Sequence, residues 1–147
     1  MTREQRIANN RREKRELVRR GCAHGILVYA NGEPVGWCQY GPREELPRVD
    51  AARNYRRLAL DTGGRRLWRI TCFCVDRKHR NRGVATLALS AALKSIRGRG
   101  GGIVEAYPVR RRGALALWCG TVSMFEKEGF RVVAPYGKSG VLVRRTL

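Results

Sequence analysis

Residues 67 to 96, LWRITCFCVDRKHRNRGVATLALSAALKSI, decide how the chain is read. Three pieces follow one another. Leu67 to Val75 is rich in β-branched, aromatic and cysteine residues, the composition of a buried strand. Asp76 to Arg82 is a polar, strongly basic loop, and Gly83 to Arg97 reads as a long helix. A strand, a basic loop and a helix start together make a grip for phosphate. The first N–H groups of a helix have no intrahelical partner, and the helix dipole adds positive potential there. Gly83 lets the backbone come close to a ligand. Arg77, Lys78, Arg80 and Arg82 supply counter-charge.

Downstream, the helix carries Ala85, Leu89, Ala92, Leu93 and Ile96 on one face, flanked by Val84, Ala88 and Ala91. A narrow polar stripe of Thr86, Ser90, Lys94 and Arg97 lies opposite, so the helix is expected to be largely covered. Glycines at 98 and 100 to 102 stop it. Ile103 to Tyr107, IVEAY, is a short strand, and a basic loop at residues 110 to 113 follows. Leu117 to Glu128 reads as one helix with Trp118, Val122 and Phe125 on a common face. Arg131 to Ala134 and Val141 to Arg145 close the chain as strands.

Upstream, His24 to Ala30 and Pro34 to Tyr40 form a hairpin around Asn31-Gly32, the strongest short hairpin signal. Residues 42 to 66 are a long connection with a short helix near Ala51 to Leu58. Such a segment is either a flap beside a cleft or a plain surface excursion. Residues 1 to 20 read as a basic helix or arm, with Thr2 and Gln5 as a capping box and Arg12–Glu16 and Glu16–Arg20 as i,i+4 pairs. Residues 21 to 147 then form the main domain. The order of elements predicts an α/β fold whose central sheet mixes parallel and antiparallel neighbours, with flanking helices.

The 147 residues carry 31 basic against 12 acidic side chains, a formal charge of +19, and 26 of the basic residues are Arg. Arg favours planar, bidentate contacts with phosphate. Either a polyanionic partner such as nucleic acid, or a phosphate-rich cofactor, or simply an Arg-rich solvated surface accounts for this balance. Five cysteines without C-x-x-C spacing, and only two histidines, give no metal-binding pattern. Free thiols of this kind suit a reducing cytoplasm. The charged start of the chain is neither a secretion signal nor a membrane span.

Two phosphate motifs fail. The glycines at 98 to 102 follow a helix, where a dinucleotide fingerprint must precede one. Gly137-Lys138-Ser139 lacks the upstream Gly of a P-loop, because Val132 stands there. What remains is Arg80-x-x-Gly83-x-Ala85 between a strand and a helix. With the hairpin before it, the strand Ile103 to Tyr107 after it, and the helix ending Phe125-Glu126-Lys127-Glu128-Gly129-Phe130, the chain resembles the GNAT superfamily of acetyl-CoA-dependent N-acetyltransferases. The resemblance spans about residues 24 to 146.

The resemblance implies acetyl-CoA as cofactor. The backbone of Cys74 and Val75 would pair with the pantetheine arm, and a main-chain N–H near Val75 would serve the developing oxyanion. N–H groups along Arg80, Asn81, Arg82, Gly83, Val84 and Ala85, with Thr86, would hold the pyrophosphate. The strands Leu67–Val75 and Ile103–Tyr107 would splay to admit the thioester. A primary amine, on a small molecule or a peptide, would attack directly. The family often has a Tyr as acid just before the Glu-Lys-x-Gly-Phe ending. Here Phe125, counted among the cofactor-binding residues, occupies that position and has no proton to give. Tyr107, Ser123 or a water could replace it. Glu105 is the first choice as base because it sits on the strand lining the implied cleft; an ion-paired structural Glu is the alternative reading. The family also places more structure ahead of the hairpin, so the N-terminal elements look shortened and a dimer partner could complete the site. Two other functions remain open: a non-catalytic acyl-CoA-binding domain, and a basic nucleic-acid-binding module.

Overall fold

A computed structural model describes residues 1–111 and 113–147; Arg112, in the basic loop expected at 110 to 113, lies outside the described residues. The hairpin forms from β1 (His24–Ala30) and β2 (Glu33–Pro42), with Asn31 and Gly32 at φ 52° and 79°. Both central residues at positive φ give a turn whose twist matches the strands it joins. β2 is longer at both ends than the hydrophobic run suggested. The remaining strands are β3 (Leu67–Val75), β4 (Ile103–Ala106), β5 (Arg131–Tyr136) and β6 (Gly140–Thr146). They build one six-stranded sheet in the order β1-β2-β3-β4-β6-β5. Only β3 and β4 run parallel, so the sheet is mixed as expected.

Six helices accompany the sheet among the described residues: α1 (Arg3–Arg19), α2 (Arg48–Ala51), α3 (Arg53–Leu58), α4 (Val84–Gly98), α5 (Ala114–Cys119) and α6 (Val122–Lys127). α4 covers one sheet face, burying Ala88, Leu89, Ala92, Leu93 and Ile96 against Trp68, Ile70, Phe73, Val104, Ala106 and Val143. Ala88 thus takes the inward place expected of Ala85, and Leu87 is 58% exposed, so the helix is less covered than its composition implied.

Strand β3 holds a bulge. Ile70 pairs with Tyr40 and Cys72 with Gln39, which leaves Thr71 as an extra residue. One extra residue reverses the alternation of side chains. Trp68 and Ile70 before the bulge and Phe73 after it therefore all enter the same core.

Three further expectations need correction. The single helix at Leu117 to Glu128 is two helices, α5 and α6. Gly120 at φ 79° ends the first, and a Cβ there would meet Met124 Cε at 2.6 Å. Thr121 starts the second by accepting the Met124 N–H. The break turns Trp118 outward, 51% exposed, and leaves Phe125 as the buried residue of α6. The short helix near Ala51 to Leu58 is also two, separated by the extended residue Ala52. At the N-terminus the capping box forms and Glu16 pairs with Arg20 at 2.9 Å, whereas Arg12 donates to Asn9 in place of pairing with Glu16.

Phe125 is fully buried, edge-on to Phe73 (6.0 Å between ring centroids) and Phe130 (5.0 Å). Phe125→Ala is expected to lower unfolding free energy by about 3–5 kcal/mol, measured by urea denaturation. A loss below about 1 kcal/mol would contradict this packing.

Candidate active site

The parallel strands stay together for four residues, from Leu67 opposite Ile103 to Ile70 opposite Ala106. The chain then leaves the sheet at Tyr107, one residue earlier than the sequence suggested. The second half of β3, Thr71 to Val75, keeps β2 on one side and has no strand on the other among the described residues. An unpaired half-strand exposes a row of backbone donors and acceptors.

A cavity of about 230 Å3 opens beside it. One wall is Phe73, Cys74 and Val75, continued by Arg80, Asn81, Gly83 and the first residues of α4. The facing wall is Leu117, Trp118, Gly120, Thr121 and Met124, so the break between α5 and α6 is part of the cavity.

The basic loop is fixed from within. The Asp76 N–H donates to the Val35 carbonyl at 2.8 Å, and the Asp76 carboxylate meets His79 Nδ1 at 2.8 Å. That imidazole contact holds the Asp76 carboxyl below its ordinary range. Arg80 Nε donates to the Val75 carbonyl at 3.3 Å and ties the loop to the strand end. Asn81 and Gly83 take left-handed backbone, φ 60° and 76°, which turns successive N–H groups to one side. None of the N–H groups from Arg80 to Thr86 has an acceptor among the described residues. At Gly83 an added Cβ would meet no atom within 4 Å, so the space in front of it is open.

On the other sheet face lies a buried charged cluster. Arg69, Glu105 and Arg144 occupy one rung across β3, β4 and β6. Arg69 and Glu105 are fully buried. Glu105 Oε1 accepts from Tyr107 at 2.6 Å; Oε2 accepts from Arg144 Nε at 2.8 Å and Tyr55 at 3.2 Å. Arg69 donates twice to Asp50, at 2.6 and 2.9 Å, and stands 3.8 Å from Glu105. Asp50 also receives Arg43, at 2.7 Å. Tyr55, Tyr107 and Tyr136 close over the cluster with centroids 5.3 to 6.5 Å apart. The connection at 42 to 66 thus meets the cluster through Asp50 on Arg69 and Tyr55 on Glu105. Burial, and then the charge of Glu105, raises the Tyr107 hydroxyl far above its ordinary value.

Eight of the sequence-predicted cofactor residues, Cys74, Val75, Arg80, Asn81, Gly83, Val84, Ala85 and Thr86, line the single cavity beside β3. Arg82 is exposed outside it. Phe125 is enclosed by Phe73 and Phe130 and does not line the cavity; Thr121 and Met124 of the same region do. Glu105 and Tyr107 come together on the far side of the splay. Reading the sequence missed Asp50, Tyr55, Tyr136 and Arg144, whose partners are distant in the chain. It also missed Thr121, although a Gly followed by Thr is a readable helix break. Three of the five thiols are disfavoured as nucleophiles: burial pushes Cys38 up to about 12, and raises Cys72 and Cys119.

Three comparisons complete the description. A family model described as the acetyltransferase (GNAT) family matches residues 2–120. No curated protein matches the chain. Among solved structures, a protein described as a GNAT-family acetyltransferase from Desulfovibrio desulfuricans superposes with TM-score 0.61 at 16% identity, over 99% of this chain and 83% of that one. A ribosomal-protein-alanine N-acetyltransferase from Brucella melitensis gives 0.62 at 16% identity, over 95% and 78%. A NatC complex bound to Gag peptide and CoA gives 0.57 at 15% identity, over 84% and 70%. No helix among the described residues is long and apolar enough to cross a membrane.

The Arg69 hydrogen bonds, opposed by burial and aided by Arg43, hold the Asp50 carboxyl at about 2, against an ordinary 3.8. A depressed carboxyl contributes stability that is complete above its unfolded value and disappears as pH falls through its folded value. Stability should therefore decline between about pH 4 and pH 2. Asp50→Asn should flatten that decline and lower stability at neutral pH by leaving Arg69 without its anion. Urea denaturation across this range decides the matter; an unchanged acid limb would remove Asp50 from it.

Proposed function

The chain belongs to the GNAT acetyltransferase family, and from that premise we propose that it is an N-acetyltransferase that moves an acetyl group from acetyl-CoA to a primary amine. The observation that carries this reading is the unpaired half of β3, next to a loop whose N–H groups lack acceptors. An extended amide chain suits the strand, and a diphosphate suits the loop. In this reading Cys74 and Val75 hold the pantetheine arm through their backbone. The N–H groups of Arg80 to Ala85, with Thr86, hold the pyrophosphate, and exposed Arg82 adds positive charge at the mouth. Five free thiols support a cytoplasmic setting.

Bound acetyl-CoA would supply the thioester; the acceptor nitrogen would form the C–N bond as the C–S bond breaks, and the CoA thiolate would leave with the second proton of that nitrogen as free thiol, while the raised Cys72 and Cys119 thiols are poor competing nucleophiles. An ammonium must lose a proton before it can attack. Glu105 is fully buried, so its reach outward is through Tyr107. The Tyr107 oxygen accepts the ammonium proton and passes its own along the 2.6 Å bond to Glu105 Oε1. A hydroxyl whose ionisation is strongly disfavoured suits a relay that never holds net charge. The acceptor is a small-molecule or peptide amine. Its side of the site is walled by Tyr55, Tyr107 and Tyr136, of which Tyr55 comes from the connection between β2 and β3.

Saturating acetyl-CoA should raise the melting temperature, since a ligand of the folded state stabilises it. Gly83→Val, which places a β-branched residue at φ 76°, should abolish that rise. No shift in the wild-type chain would sink the cofactor assignment. Release of free CoA thiol over a panel of small and peptide amines then reports transfer. Binding without release on any amine would favour a non-catalytic acyl-CoA-binding domain, the reading that buried Phe125 supports.

Tyr107→Phe should lower kcat by about 10²-fold or more while the acetyl-CoA melting shift persists. An unchanged kcat would remove Tyr107 from the proton path.

A further inference from the structure

Helix α1 touches the rest of the chain along one side. The Lys14 ammonium lies 5.6 Å from the centre of the Trp37 ring, and Lys14 and Leu17 line a small crevice shared with Gln39, Tyr40, Glu45 and Leu46. No residue of α1 is buried, so packing contributes little to it. Its order comes from its own ends, through the Thr2–Gln5 capping box and the Arg20–Glu16 pair.

The charge on its free side is mainly positive, although Glu4 and Glu16 fall on that side too. Between Arg3 and Arg19 there are seven basic and three acidic side chains. A period of 3.6 residues places Arg12, Arg15 and Arg19 opposite Lys14 and Leu17, with Arg11 at the margin. All four are exposed. Among the described residues none of them pairs with a carboxylate: Arg12 bonds Asn9, and Glu16 is taken by Arg20. Like charges at i,i+4, as in Arg11–Arg15 and Arg15–Arg19, weaken a helix. A helix that is barely packed and still carries such a row is built for an external anion.

The form of the row indicates which anion. Successive Arg residues four apart stand about 6 Å from one another along a straight rod. Each presents a planar fork suited to a phosphate oxygen pair. A repeating anion matches this better than a single carboxylate does, and the net charge of +19 adds long-range attraction for it. A bilayer surface is a poorer match. The exposed apolar residues of α1 are Ile7, Leu17 and Val18, without an aromatic residue, and Leu17 is on the body side.

We propose that α1 is a nucleic-acid-docking helix, holding a phosphodiester backbone along Arg11, Arg12, Arg15 and Arg19. This reading is independent of the acetyl-transfer chemistry and would stand if that failed. It is sequence-independent contact, so both RNA and DNA duplexes should bind.

The test uses the full chain and fluorescence anisotropy with labelled RNA and DNA duplexes, titrated from about 50 to 200 mM salt. The variant carries Arg11→Gln, Arg12→Gln, Arg15→Gln and Arg19→Gln, exposed changes to a good helix former. It should bind at least about tenfold more weakly, and the slope of log affinity on log salt should become shallower by about 3 to 4. A control of equal charge loss, Arg56→Gln, Arg57→Gln, Arg131→Gln and Lys138→Gln, should lose much less. The proposal is overturned if the wild-type chain binds neither duplex, if the α1 variant keeps the wild-type affinity and slope, or if the control loses as much. It is equally overturned if phosphatidylglycerol vesicles bind through α1 while the duplexes do not.

Discussion

Arg69, Glu105 and Arg144 stand side by side on one rung of three neighbouring strands, and the middle carboxylate and one flanking guanidinium are wholly removed from water. Burying such charges is costly unless each finds partners. Much of the surrounding structure follows from that demand. Asp50 must reach Arg69, which draws the connection between β2 and β3 across the sheet face. Tyr55 must cap Glu105, which fixes α3. Tyr107 must donate to the same carboxylate, which sets the direction in which the chain leaves β4. The satisfaction is incomplete, because Arg69 Nε is buried without a hydrogen-bond partner. The rung therefore holds the two parallel strands together just where they are about to part.

The parting itself is produced by a small change in backbone count. Thr71 is the extra residue that keeps Trp68, Ile70 and Phe73 on one core while β3 bends. A bulge increases local twist and bends the strand that carries it. Past it, β3 runs without β4, and the cavity fills the gap on the α4 side. The cavity and the buried cluster thus lie on opposite faces of the sheet. Each face is fixed separately: one by apolar packing under α4, the other by the charged rung.

Elements held by local patterns could be read from the chain. Asn31-Gly32 fixes its turn by backbone preference, and the loop from Asp76 to Gly83 is recognisable because charge, glycine and helix start fall in one short run. Even the misread helix was locally encoded, since Gly120-Thr121 is a stop followed by a cap, masked by the i,i+4,i+7 apolar positions Trp118, Val122 and Phe125. The charged cluster was not legible. Its contacts join residues 19, 39 and 50 positions apart, and no spacing rule links them before the strand register is known. Glu105 could be named because it sits on a strand beside the motif; Asp50 and Arg144 had no such neighbour.

If the tyrosine wall receives the acceptor amine as proposed, the same cluster bears on what can approach it. Three guanidiniums, of Arg43, Arg69 and Arg144, face two carboxylates, of Asp50 and Glu105, so the cluster has a cationic excess. Its setting is a chain of net charge +19. A polycationic acceptor would meet repulsion both at long range and at the tyrosine wall. An amine that also carries a carboxylate or phosphate would be attracted by both. The excess charge also explains how a carboxylate as deep as Glu105 is accommodated at rest: a guanidinium on each side compensates its charge.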